Sequence, residues 1–233
     1  MAILGKKGLQ EEGSDNIFWT TMSDLMLGLC IVFMTLFILA MTGFTQQTVK
    51  QQQEQQQTAE KLAKKLEAEK IKAEVDLYGS VKISDVELFE VGSYQLSPKG
   101  KKFLEKFTPI YFDTLFENES TYRAIDNIIV QGHTDSQTFK DAKTQNEQYS
   151  KNMFLSLQRA YAVQDYMLLH TPYKKKYNKA LRKMLIVEGR SYADPVLDGA
   201  GNEDLSKSRR VEVKLKVKGT SLSDMLGLNF GGN

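Results

Sequence analysis

Asp24 is the only acid or base between Ile17 and Phe44, in the run "IFWTTMSDLMLGLCIVFMTLFILAMTGF". Inserting a lone Asp into hydrocarbon costs roughly 2.5 to 3.5 kcal/mol, so such a group faces protein or water and marks an ion or proton path. The 20 residues from Leu25 to Phe44 hold no Asp, Glu, Lys, Arg or His, and a helix of that length crosses about 30 Å of hydrocarbon. At ~100° per residue, Thr20, Gly28, Thr35 and Thr42 fall within about 40° of Asp24, and Met22, Leu25, Leu29, Phe33, Phe37 and Ala40 fall on the other half. Small and hydroxyl residues are what helix contacts inside membranes use. Phe18 and Trp19 supply an aromatic belt before Asp24 and place it within the span; an Asp at the headgroup boundary is the alternative.

Other chemistry is thin. Cys30 is the one cysteine, which excludes an intramolecular disulfide and a multi-Cys metal site. His133 and His170 are the two histidines, too few for the usual zinc enzyme. No nucleophile with a paired base and no phosphate loop is present, so an enzyme is not expected, nor any cofactor beyond a coupling ion. With 31 Lys and Arg against 29 Asp and Glu, the charge gives no field for direct nucleic-acid binding.

The elements that must position Asp24 and whatever follows it fall into zones: a polar head (1–16), the span (17–44), a Gln- and Lys-rich helical linker (45–76), a mixed region (77–217) and a tail (218–233). Lys6 and Lys7 precede the apolar block, but it outruns the roughly 7 to 15 residues of a signal-peptide core. The linker holds no Gly or Pro and many helix formers. Ala59, Leu62, Leu66 and Ala73 follow 3-4 spacing, interrupted at Glu69, which leaves a dimeric coiled coil and a solvated single helix both open.

From residue 77 the pattern alternates. "VKISDVELF" predicts a strand or hairpin, and Ser97 followed by Pro98 predicts a helix start. "IDNIIV" (125–130), "MLIVEG" and the alternating Val211, Val213, Leu215 and Val217 predict strands, with a helix over 154–170. The fold class expected is α/β: one transmembrane helix and a helical linker, then an α/β sandwich of about 140 residues, enough for its own core.

"GHTD" (132–135), "NMFLSLQRA" (152–160) and "SRRVEV" (208–213) occur in order and resemble the OmpA-like peptidoglycan-binding domain. The resemblance implies that Asp135 and Arg159 grip the ionised ends of the diaminopimelate residue of cell-wall peptide, with Thr134 and Asn152 shaping the pocket. A side chain bearing both an ammonium and a carboxylate wants an acceptor-only carboxylate beside a guanidinium fork. Arg209 and Arg210 are expected to brace loops, and His133 to be a packed strand-end residue. The segment between Asp135 and Asn152 is longer than the family's and lacks its Gly after the TD pair, so a loop there can cover the pocket.

"SDLM" in the span, the linker and the OmpA-like domain together resemble the MotB class of ion-driven stator subunits, most nearly the wall-anchored subunits of the Zorya anti-phage defence systems. That resemblance implies an ion-carrying Asp24, protons or sodium ions as coupling ion, and a homodimer within a pentameric ring of a multi-span MotA- or ZorA-like partner. It also implies contact with membrane lipid and peptidoglycan, and a single-pass inner-membrane protein with a cytoplasmic N-terminus and a periplasmic domain. A flagellar stator subunit and a passive membrane-tethered peptidoglycan anchor are the alternatives.

Overall fold

The apolar run and the segment after it form one helix, α1 (Gly8–Ala68), in a computed structural model that describes residues 8–90, 92–171 and 177–218. Part of the expected head is thus helical; residues 1–7 and all of the expected tail beyond 218 lie outside the described residues. Two units are present, residues 8–50 and residues 51–218.

In the first unit α1 contains a stretch long and apolar enough to cross a membrane, none of it buried. The hydroxyls of Thr20, Thr35 and Thr42 donate to the carbonyls of Asn16, Val32 and Ile38 at 2.7, 2.8 and 3.0 Å. Hydroxyls satisfied by their own helix carry a smaller desolvation penalty in an apolar medium.

In the second unit α1 stops earlier than its composition predicts. Ile71 N–H donates to Leu66 O and Lys70 N–H to Glu67 O, both at 2.9 Å, with Lys70 at φ 54°. This is the paired 6→1 and 5→2 bonding that ends a helix in a left-handed residue, accompanied by the apolar contact such ends carry, here Leu66 and Ile71 in one core. Strand β1 (Glu74–Val75) follows, so the last residues of the expected linker belong to the sheet. Ala59, Leu62 and Leu66 are buried within this unit. Their stripe serves neither a coiled coil nor a solvated rod, because the domain's own apolar surface takes it. Around it Glu54 accepts from Ser120 Oγ at 2.8 Å, and Lys61 pairs with Glu117 at 2.8 Å.

Next come β2 (Val81–Ser84), α2 (Asp85–Leu88), α3 (Pro98–Glu117), α4 (Glu119–Ala124), β3 (Ile125–His133), α5 (Gln145–Leu169), α6 (Asn178–Met184), β4 (Leu185–Gly189), α7 (Leu205–Ser208) and β5 (Arg210–Val217). The five strands order as β1-β2-β5-β3-β4, antiparallel except for β3 with β4. Ser97 caps α3 by accepting from Gly100 N–H at 2.9 Å, as its place before Pro98 predicts. The α/β sandwich is the observed architecture. Val81, Ile83, Ile128, Val130, Val211 and Val213 of the sheet share a core with Leu104 and Phe107 of α3 and Val163 and Met167 of α5, each large side chain contributing about 1.5 to 3 kcal/mol by leaving water.

By alternation the other sheet face carries Lys82, Gln131, His133, Arg210, Glu212 and Lys214. His133 is buried at the strand end, Nε2 3.0 Å from Gln131 Oε1. Burial, and then the Arg210 guanidinium, push its pKa down to about 4 although Glu212 pulls the other way, so the imidazole is neutral at pH 7. Burial alone would raise Glu212; hydrogen bonds from Arg210 and Lys214 outweigh it and hold that carboxyl at about 2. Arg210 also donates to the carbonyls of Asp194 and Ser208, both at 3.2 Å, and so braces the loop before β5.

Candidate functional site

A cavity of about 490 Å³ opens where α2, the end of β3, α5 and the residue before β5 meet. Thr134, Asp135, Asn152 and Arg159 all line it. Their convergence depends on how closely α5 lies against the strand ends. A Cβ on Gly132 would sit 2.0 Å from Ser156 O, so only glycine lets the helix backbone approach β3 there. Ser156 Oγ then accepts from Ser191 N–H at 3.1 Å, and Thr134 N–H donates to Ser191 O at 2.9 Å, which fixes the turn carrying Asp135.

Four of the charged residues of the cavity, Asp85, Asp135, Arg159 and Arg209, pair with one another. Asp135 pairs with Arg209, not with Arg159. Arg159, only 3% exposed, donates Nε to Ser93 O at 3.0 Å, pairs with Asp85 at 3.3 Å, and holds its guanidinium carbon 5.4 Å from the Phe89 ring centre. Part of the guanidinium fork is therefore used for aiming, and the rest of its five N–H donors stay available. Burial pushes the Asp85 carboxyl up in spite of the Arg159 and Arg209 charges. Burial likewise pushes the Arg159 guanidinium down in spite of Asp85. Both partners thus shift against ionisation: desolvation outweighs their mutual attraction, and a further opposite charge entering the cavity would be favoured by each.

Thr134 Oγ is buried with no hydrogen-bond partner among the described residues, and it lines the same cavity. Asn152 is held by its Nδ2, which donates to Gln148 O at 3.1 Å. The segment after Asp135 supplies a wall through Gln137, Thr138 and Phe139. It is pinned by Phe139 N–H donating to Gln148 Oε1 at 2.7 Å and by Ser136 bonded to Glu203. From Gln145 onward that segment is already α5, capped by Thr144. A zwitterionic end group fits this inventory: guanidinium donors for its carboxylate, acceptor-only carboxylates for its ammonium, and a spare hydroxyl.

Asp85 and Phe89 were not singled out by the sequence, and Arg209 was expected to brace rather than to line. Arg209 does both. A signal for Asp85 existed: after inward Val81 and Ile83, period-two alternation points position 85 into the core, where a carboxylate needs a partner. Asp24 sits on α1 in the first unit, exposed, with no side-chain hydrogen bond or ion pair among the described residues.

Known proteins bear on these features. The OmpA family model matches residues 88–210, more than half of the chain. Zorya protein ZorB of Escherichia coli is 32% identical over 229 residues, covering 91% of this chain and 93% of that protein. A second Zorya protein ZorB, from another Escherichia coli strain, is 21% identical over 92% of this chain and 86% of its own length. The crystal structure of a putative MotB like protein from Desulfovibrio vulgaris superposes with a TM-score of 0.50 at 19% identity, covering 74% of this chain and 97% of that one. The matched stretch contains Thr134, Asp135, Asn152, Arg159 and Arg209 and stops short of Asp85, while the ZorB likeness runs along nearly the whole chain, so this protein belongs to the OmpA family and, within it, to the family of Zorya protein ZorB.

Proposed function

We propose that this chain is the wall-anchoring subunit of an ion-driven motor of the bacterial inner membrane that acts in anti-phage defence, an anchor rather than an enzyme. The observation that carries the reading is the convergence of Thr134, Asp135, Asn152 and Arg159 on one cavity whose buried charges still favour an added counter-charge. In this reading the cavity clasps the diaminopimelate end of peptidoglycan peptide. Ammonium goes to the carboxylate side at Asp135 and carboxylate to Arg159.

The span crosses the membrane once, with the N-terminus in the cytoplasm and residues 77–217 in the periplasm. Two copies stand inside a ring of five MotA- or ZorA-like partner subunits. Asp24 takes up and releases the coupling ion, a proton with sodium as the other option. Protonation changes both the charge and the hydrogen-bonding role of a carboxylate, so it biases a helix interface between two arrangements. The wall-bound domains hold the dimer while the ring turns.

The test is co-sedimentation of the detergent-solubilised full chain with purified cell wall. Asp135→Ala and Arg159→Ala are each expected to weaken binding by roughly 2 to 5 kcal/mol, because the partner charge is left unpaired, while circular dichroism stays native. Unchanged co-sedimentation in both variants would overturn the anchor reading.

A further inference from the structure

A second concavity of about 810 Å³ lies between α5 and the strap 94–96, and its chemistry differs from that of the first. Tyr94 and Tyr161 are 44% and 59% exposed there. Tyr166 is fixed by donating its hydroxyl to Glu105 at 2.9 Å and by a ring contact with His170 at 5.3 Å. The amides of Gln95 and Gln158, the carboxylate of Asp165 and the ammonium of Lys101 add polar groups to the lining, with Leu96 and Ala162 between them. Gln158, Tyr161 and Asp165 recur at helical spacing and share one face of α5, whereas Arg159 is turned by about 100° toward the first cavity.

Tyr166 packs partly against the core, but Tyr94 on the strap and Tyr161 on α5 are not part of it. Their flat, amphipathic rings suit a ligand that is apolar on its face and polar at its rim. A pyranose is such a ligand: C–H groups on the ring face, hydroxyls and acetamido groups around the edge for amides and a carboxylate to bond. The groove and the first cavity share no lining residue, but their linings neighbour one another along two stretches of chain. Ser93, whose carbonyl accepts from Arg159, precedes Tyr94, and Gln158 precedes Arg159.

We propose that this groove is a sugar site that takes the N-acetylated amino-sugar strand of the polymer whose peptide end enters the neighbouring cavity. The proposal rests on the peptide reading of that cavity. It divides recognition between two surfaces, a charge-paired cavity for the peptide and an aromatic groove for the glycan.

The experiment titrates the detergent-solubilised full chain calorimetrically with two soluble probes: a diaminopimelate-containing stem peptide, and the same peptide carrying its N-acetylated disaccharide. The disaccharide form is expected to bind about tenfold tighter, the scale of one or two aromatic contacts. Tyr161→Ala and Asp165→Asn are expected to abolish that gain and leave affinity for the bare peptide unchanged, while Asp135→Ala loses both probes. Equal affinity of the unaltered protein for the two probes overturns the sugar site and spares the peptide cavity. A disaccharide advantage that survives both groove variants also overturns it. Binding of neither probe overturns the two readings together.

Discussion

Two stretches of one helix, α1, use apolar side chains in opposite ways. Over residues 16–43 the large apolar groups are exposed, Leu25 by 71% and Phe33 by 62%. At Leu62 and Leu66 the exposure is 0% and 1%. Composition and arrangement both separate them: the first stretch is apolar around most of its circumference, the second is rich in Gln and Lys and apolar only along a stripe. A stripe needs one surface, and residues 51–218 supply it. A helix apolar all round needs an apolar surrounding, lipid or partner helices. The carboxylates divide the same way, Asp85 and Asp135 being held by arginines of their own chain while Asp24 is exposed, with no ion pair among the described residues.

The contrast breaks most visibly at Asp24. Asp24→Asn keeps size and hydrogen-bonding capacity but cannot ionise, so it is expected to abolish protection against phage while the membrane partner still co-purifies. Full protection would make Asp24 a boundary residue and leave a passive anchor.

A smaller effect separates the two stretches of α1 directly. Leu62→Ala is expected to cost the second unit about 2 to 5 kcal/mol, the usual toll of emptying a core site. Phe33→Ala should leave that unit's stability within about 0.5 kcal/mol, since it lies in the exposed stretch. Amide hydrogen exchange in β3 and β5 reads both, and equal loss of protection would erase the distinction.

The smallest effect sharpens the domain side. His133 has its pKa lowered from 6.5 to about 4, so between those values the unfolded chain binds the proton and the folded one does not. Stability is then full above the unfolded pKa and falls as pH drops through this window, by about 2 kcal/mol from pH 7 to pH 5. Subtracting the exchange profile of His133→Gln from that of the unaltered protein should reveal this slope. Identical profiles would mean that His133 is not held neutral.

The sequence made most of the architecture readable because local chemistry and the final fold agree there. Ser97 and Pro98 start α3 as their types demand, and alternating Val211, Val213 and Leu215 become β5. β3 runs to His133, beyond the predicted "IDNIIV", because pairing with β5 extends past the β-branched run. "VKISDVELF" splits into β2 and α2 at Asp85, where a buried partner, Arg159, lies 74 positions away. Spacing along a chain carries no trace of such a partner. The stripe of Ala59, Leu62 and Leu66 was visible too, but not what would cover it, since apolar periodicity reports a face and leaves its occupant open. Likewise the four wall-binding candidates came from motifs, whereas the Asp135–Arg209 and Asp85–Arg159 pairing emerged only from three-dimensional contact.

The strand at one margin of the sheet, β1, is two residues long, Glu74 and Val75. It ends at once in a tight turn where Asp76 accepts from the backbone N–H groups of Tyr78 and Ser80, both at 2.8 Å. Long, flat, apolar margins invite strand-to-strand zippering between copies, whereas a short one beside charges does not. The margin at β1 is stunted and acidic, and so offers little template for aggregation between copies of the chain.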